Sequence, residues 1–173
     1  MGLKGVQFVL GLSVEGLTQV HVVFALLGLV LGIAALVSMI NSQRPGWITH
    51  AFLVTMALTA ITGFMFPVEG FTAAVGVGMI TTICLWPAFF GLYLFQLEGF
   101  WRGIFVVAAT AALYLNCYAL VVQAFEKISF LNALAPTQRE VPYLIVQIAL
   151  LATFVHFGWQ AVDRFHPPKA TTA

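Results

Sequence analysis

Three histidines lie inside long apolar stretches of this sequence, where they are the most chemically versatile side chains. They are His21, His50 and His156, while His166 follows the last stretch. A histidine ring can ligate haem iron or a metal ion, and its neutral form can hydrogen-bond the carbonyl or hydroxyl group of a ligand. Amide side chains add donors and acceptors within the same stretches: Asn116, Gln123, Gln147 and Gln160. These residue types are therefore compatible with two kinds of site, a haem or metal centre and a hydrogen-bonding pocket.

The composition indicates what must position these groups. Hydrophobic residues make up 61% of the 173 residues, charged residues make up 8%, and the mean hydropathy is +1.01. Soluble domains carry about 25% charged residues, so this chain must use lipid as its solvent. Long continuous apolar runs, rather than alternation, predict helices and not the strands of a barrel. The net charge is +1 with no basic run, and nothing indicates a nucleic-acid partner.

Five runs are long enough to span a bilayer, which takes about 20 apolar residues. They cover residues 18–40, 47–66, 72–95, 101–125 and 142–163. The sequence predicts an all-α, polytopic transmembrane bundle that forms a single domain over residues 1–173. We expect residues 1–17 to be a retained, partly helical interfacial segment, 126–141 a long surface loop, and 164–173 a polar tail. Pro87 lies inside the third run and predicts a kink.

Small residues indicate the inward faces of three predicted helices, because they let helix backbones approach closely in a membrane. At helical spacing the stripes are Ala25, Gly28, Gly32 and Ala35 in the first helix, Ala109, Ala112, Asn116, Ala119 and Gln123 in the fourth, and Ala149, Ala152, His156, Gln160 and Asp163 in the fifth. His21 shares the face of the first stripe. The pattern therefore predicts that His21, Asn116 and His156 point into the bundle.

The first two histidines cannot share a ligand. His21 and His50 each stand near the beginning of their own antiparallel helix, so they lie on opposite sides of the membrane, roughly 20 Å apart in depth. One grouping on the N-terminal side comprises His21, Asn116, Gln123 and Gln147. These groups could hydrogen-bond one another to fix helix packing, or could line a pocket for an amphiphile such as quinone or lipid.

A second grouping lies on the opposite side, where His50 and His156 stand at nearly matched depth. Such a pair could ligate a b-type haem, with Gln160 or Asp163 orienting an imidazole. Two observations speak against it. His50 does not share the face of the threonine stripe of its helix, Thr55, Thr59 and Thr62, and no carboxylate stands at a depth that would complete a metal site. Haem therefore stays the alternative interpretation.

No enzyme signature is present. The sequence lacks H-E-x-x-H, G-x-S-x-G, a phosphate-binding loop and a C-x-x-C pair. Cys84 and Cys117 stand at different predicted depths, so we expect free thiols. We assign no catalytic residue and no metal ligand, and the sequence favours a protein that is not an enzyme.

The first hairpin resembles a pattern in small, mostly uncharacterised bacterial membrane proteins of proteobacterial type. A histidine opens one helix, a G-x-x-x-G run follows, and a second histidine opens the next helix: here His21, Gly28, Gly32 and His50. The resemblance implies a bacterial inner-membrane location but no activity. Lysine and arginine counts at the helix ends favour an external N-terminus and an internal C-terminus. We expect an amphiphile-binding protein, or an accessory subunit that self-associates or joins a larger membrane complex.

Overall fold

The computed structural model describes residues 8–9, 12–67 and 70–167. Within them the chain forms five helices long and apolar enough to cross a membrane, so the predicted helical bundle is confirmed. The long helices are α1 (Val14–Ile40), α2 (Trp47–Phe64), α3 (Ala73–Phe89, continued by a π-helical turn over Phe90–Leu94), α4 (Trp101–Lys127) and α6 (Val141–Arg164), while α5 (Ser129–Leu134) is short.

The N-terminal segment is helical only from Val14 onward. Before it, β1 (Phe8–Val9) pairs antiparallel with β2 (Leu12–Ser13), and the other residues of 1–11 lie outside the described ranges. The Ser13 hydroxyl accepts the N–H of Gly16 at 3.1 Å and caps α1, and Glu15 in the first turn complements the helix dipole. The cap explains why α1 begins four residues before the apolar run that predicts it.

The long helices form a four-membered bundle with α6 attached to its outside. α1 packs against α2 and α4, and α3 closes the bundle by packing against the same two helices. α6 packs against α1 and α4 but makes no extensive contact with α2 or α3. The core is apolar and centres on Phe52, Met56, Phe105 and Leu113, with Ala35, Ala109 and Ala112 between them. α6 therefore lies on the far side of the α1–α4 pair from α2.

The close-packing face predicted for α1 is confirmed. Gly28, Gly32 and Ala35 are buried. A methyl group placed on Gly32 would stand 2.5 Å from a Leu113 methyl and 2.7 Å from the Phe52 ring. Glycine is therefore required where α1, α2 and α4 meet.

The end of α3 departs from regular helix after Pro87. The proline ring cannot donate to the Ile83 carbonyl, and a π-helical turn follows in which the Phe95 N–H donates to the Phe90 carbonyl at 2.9 Å. The turn into α4 then holds Gln96 and Leu97 at positive φ (47° and 62°). The predicted disturbance at Pro87 is thus taken up by a π turn and a tight left-handed connection.

The predicted surface loop 126–141 contains structure of its own. α4 continues to Lys127, α5 follows, and the segment folds back over the end of α4. The Asn132 amide donates to the Phe125 carbonyl at 3.2 Å, and the Gln138 amide donates to the Val122 carbonyl at 3.1 Å. The loop is therefore fastened to the helix that precedes it.

The predicted polar tail begins with a core residue. Phe165 is 1% exposed and packs near Phe105, with ring centroids 6.1 Å apart. The backbone N–H of His166 donates to the Ser42 hydroxyl in the α1–α2 turn at 2.8 Å. Residues 168–173 lie outside the described ranges. The expectation of a polar tail from residue 164 is wrong at Phe165, because that side chain closes the end of the bundle.

Candidate functional site

His21 joins α1 to α2. Its Nδ1 lies 3.0 Å from the Thr62 hydroxyl, and its ring packs edge-on against Phe66 with centroids 5.5 Å apart. Gly63 leaves room for the imidazole, since a methyl group there would stand 3.3 Å from the His21 Cε1. The half-buried ring therefore has its protein partners on α2 and the residues that follow it.

Asn116 joins α4 to α1 in the same manner. Its side-chain amide donates to the backbone carbonyl of Ala25 at 2.8 Å. This bond connects two helices that are distant in sequence, and both residues are only partly exposed. A polar bond at this contact fixes the helix register, because sliding either helix would leave the amide unsatisfied in an apolar region.

The two remaining residues of the predicted outer pocket lie elsewhere. Gln123 is exposed on α4, with its amide 3.5 Å from the Glu126 carboxylate. Gln147 is on the packed side of α6, where its amide donates to the Tyr143 hydroxyl at 3.0 Å. The structure thus gives His21, Asn116, Gln123 and Gln147 four different hydrogen-bond partners. Among the described residues, no hydrogen bond joins any two of the four.

A cluster of polar side chains that was not predicted from the sequence lies between α4 and α6. Tyr143 is buried, and Tyr118 of α4 interacts with its hydroxyl. The Gln147 Oε1 atom is buried and has no hydrogen-bond partner among the described residues. The spacing of Tyr143 and Gln147, four residues apart on one helix, is the signal that could have indicated this cluster. The cluster therefore contains one free acceptor, the Gln147 Oε1 atom.

The two histidines of the haem alternative are held apart. The His50 Nδ1 lies 2.7 Å from the Tyr93 hydroxyl in the π turn. His50 therefore contacts the end of α3, whereas Thr62 of the threonine stripe contacts His21 of α1. The His156 Nε2 lies 2.8 Å from the Gln160 amide nitrogen, and His156 is exposed on α6. Since α2 and α6 do not pack extensively against each other, this arrangement does not fit two axial ligands of one haem.

The inward face predicted for α6 is wrong. Its exposed members are Ala149, Ala152, His156 and Asp163, while the side packed on the bundle carries Tyr143, Gln147, Leu150, Phe154, Gly158 and Ala161. These two sets lie about 140° apart around the helix at ~100° per residue. The physical reason is that the aromatic residues of α6 pack against aromatic residues of α4, for instance Phe154 against Tyr114 with ring centroids 5.7 Å apart.

An open groove between α3 and α4 offers no polar chemistry. It is lined by Ile83, Cys84, Pro87, Phe100, Gly103, Ile104, Val107, Ala108 and Ala111. Hydrocarbon chains of the bilayer suit such a surface. Within the described residues no group of three or more histidine, cysteine, aspartate or glutamate side chains is placed to hold a metal ion. Both cysteines are free thiols.

Comparison with known proteins gives this chain no relatives: no protein-family model, curated protein or solved structure matches it. Its function must therefore be argued from the residues. In the described part of the bundle, His21, His50 and Asn116 each have a hydrogen-bond partner on a different helical segment. The remaining polar features of interest are the buried acceptor of Gln147 and the exposed His156–Gln160 pair on α6.

Proposed function

We propose that this chain is a non-catalytic membrane protein that works by association, as an accessory subunit whose α6 packs on another transmembrane helix. The observation that carries the proposal is the exposed His156–Gln160 pair, which lies within a membrane-spanning helix and faces away from the bundle. Polar side chains facing lipid are costly, and in membrane proteins they mostly face protein or a water-filled cavity. A covering helix would remove that cost.

The rest of the α6 outer face supports this proposal. We call the α6 outer face the surface formed by Ala149, Ala152, Thr153, His156, Gln160 and Asp163. Ala149 and Ala152 are small enough to let a second helix approach closely, as at membrane helix interfaces in general. The Thr153 hydroxyl donates to the Ala149 carbonyl at 2.8 Å, so it adds no unpaired donor to the surface. The face therefore combines close-approach residues with one hydrogen-bonding pair.

The experiment is native mass spectrometry of the full-length protein extracted gently from its membrane. We expect a species heavier than one chain, reduced to a single chain in the double variant His156→Leu, Gln160→Leu. His156 is exposed and Gln160 is only partly buried, so we expect folding to be retained. The matched control is Gln123→Leu, which removes an exposed amide from α4 and should leave the heavy species intact. A single chain in the unaltered protein would overturn the proposal.

A second candidate function, amphiphile binding, is favoured by the buried Gln147 Oε1 without a partner. A lipid or quinol hydroxyl that reached this atom would donate the missing hydrogen bond, with Tyr143 beside it. Native mass spectrometry after gentle extraction should then show a retained lipid or quinol, lost in Gln147→Leu and kept in Gln123→Leu. Retention that is equal in both variants would exclude this site.

We further propose that the protein resides in a bacterial inner membrane with its N-terminus outside and its C-terminus inside. The resemblance of the first hairpin to proteobacterial membrane proteins and the positions of Arg44, Arg102 and Arg164 on one side support this orientation. Labelling of single cysteines in intact cells with a membrane-impermeant reagent tests it. Ser129→Cys in α5 should react from outside, and Gln43→Cys in the α1–α2 turn should not.

A further inference from the structure

We infer that the helix covering the α6 outer face is α6 of a second copy of this chain, related by a two-fold axis along the membrane normal. This inference rests on the proposed function and specifies its partner. Three features of α6 support it: the hydrogen-bonding capacity of the His156–Gln160 pair, the charges at the end of the face, and the position of the face on the bundle.

The His156–Gln160 pair leaves two donors and an acceptor without a partner. The Gln160 amide nitrogen can only donate, so it donates to Nε2 of His156 and the ring proton is on Nδ1. The free groups are then the Nδ1–H, the second amide N–H and the Gln160 carbonyl oxygen. Neither side chain has a further hydrogen-bond partner in the described part of the chain.

A surface with donors and an acceptor side by side can hydrogen-bond to a copy of itself. A two-fold axis along the membrane normal brings the two pairs to the same depth, where His156 of each copy can donate to the Gln160 carbonyl of the other, one helical turn away. The Nδ1–H group and the carbonyl oxygen of both copies are then satisfied. A partner helix with only aliphatic side chains would leave these groups without hydrogen bonds in lipid, which costs free energy.

The charges at the end of α6 show the same self-complementarity. Asp163 and Arg164 are neighbours and both are exposed at the last turn. Two parallel α6 helices facing each other place the carboxylate of one copy near the guanidinium of the other, at the membrane border. An identical partner therefore places opposite charges, and not like charges, next to each other at the depth where the helices end.

The position of the α6 outer face leaves space for this contact. It lies about 140° around the helix from the side packed on α1 and α4, at ~100° per residue. A second α6 can therefore approach without displacing any element of the first bundle. The small side chains Ala149 and Ala152 lie one to two turns from His156 and let the backbones come close enough for its hydrogen bonds.

Oxidative cross-linking in native membranes tests the inference on the full-length protein with Cys84 and Cys117 replaced by alanine. Ala152→Cys on the α6 outer face should yield a species of twice the monomer mass. The matched control is Leu151→Cys, which is 47% exposed at similar depth but points about 100° or more away from every residue of the face. We expect the doubled species from Ala152→Cys alone, and its loss when His156→Leu and Gln160→Leu are added.

Each other outcome has a distinct meaning. Cross-linking of Ala152→Cys to a species of a different mass would overturn the second copy as partner while leaving the proposed association standing. Monomer alone at both positions would overturn the second copy as partner, while native mass spectrometry, which needs no cysteine on the partner, decides the proposed association. Equal yields of the doubled species from Ala152→Cys and Leu151→Cys would indicate random collision and would likewise overturn the inference.

Discussion

The imidazole of His21 donates a hydrogen bond to the hydroxyl of Thr62 across the α1–α2 contact. The Nδ1–Oγ1 distance is 3.0 Å, and the Thr62 hydroxyl proton is already donated to the Leu58 carbonyl at 2.7 Å. Oγ1 can therefore act only as acceptor toward the ring, so Nδ1 carries the proton. The backbone carbonyl of Thr59, a second acceptor, also interacts with this ring. His21 is thereby a packed side chain and a component of the hairpin.

The first prediction concerns the coupling between these two residues. In a double-mutant cycle with His21→Ala and Thr62→Val, we expect a coupling free energy of about 0.6 kcal/mol, typical of interhelical hydrogen bonds in membranes. Unfolding in mixed detergent micelles measures it. His166→Ala with Thr62→Val is the control pair, since His166 lies at the opposite end of α2, and its coupling should be near zero. Additive effects of His21→Ala and Thr62→Val would show that the bond contributes nothing.

The second prediction compares two amides on one helix. Asn116→Leu removes the donor to the Ala25 carbonyl, and we expect it to lower the free energy of unfolding by about 1 kcal/mol. Gln123→Leu removes an exposed amide from the same helix and should change it by less than about 0.5 kcal/mol. Thermal unfolding of both variants in the same detergent provides the measurement. Equal destabilisation by the two substitutions would contradict the role given to Asn116.

The features of this fold that can be predicted from the sequence arise within single helices. Composition and run length predict five spans, and the spacing of Gly28 and Gly32 predicts the close-packing face of α1, which is confirmed. Depth counting also separates His21 from His50 correctly. His21 meets Thr62, which follows His50 by about 18 Å along α2 at ~1.5 Å per residue.

The unpredictable part depends on contacts between distant residues. α6 carries small or polar residues on two opposite sides, with Ala152 and His156 on one and Gln147 and Gly158 on the other. Which side packs is decided by the shape of α4, where Tyr114 receives Phe154. No periodicity within α6 contains that information. The burial of Phe165 likewise depends on Phe105, far away in sequence.

The third prediction is a pH dependence at the start of α6. The Glu140 carboxylate accepts the Thr137 hydroxyl at 2.8 Å and the Arg139 backbone N–H at 3.0 Å. Slight desolvation raises the pKa of Glu140, and these hydrogen bonds outweigh it and hold the pKa below its usual value of 4.5. A carboxyl with a depressed pKa contributes stability above its unfolded pKa and loses it as pH falls through the folded pKa.

We therefore expect the turn at residues 135–140 to be fully ordered at pH 7 and to loosen as the pH falls below about 4.5. Amide hydrogen exchange at Thr137 and Arg139, corrected for intrinsic rates, measures the change. Glu140→Gln, which has no titrating group there, should show exchange protection that does not vary over the same pH range. Loosening of equal size in both proteins would assign the effect to another group.

The fourth prediction uses two glycines that lie in helices but face different surroundings. Gly32→Ala places a methyl group 2.5 Å from Leu113 and 2.7 Å from Phe52, and both neighbours are buried in the core. The overpacking should lower the free energy of unfolding by about 1–3 kcal/mol. Gly103→Ala meets nothing within 4 Å in α4, so the better helix propensity of alanine should raise stability by up to about 1 kcal/mol.

Thermal unfolding of the two alanine variants and the unaltered protein in one detergent checks that the two substitutions change stability in opposite directions. The comparison is sharp because the same atoms are added in both cases and only the surroundings differ. If Gly32→Ala were neutral, α1 would have to stand farther from α2 and α4 than the structure places it. If Gly103→Ala were destabilising, the groove beside it would need to be filled by something the methyl group displaces.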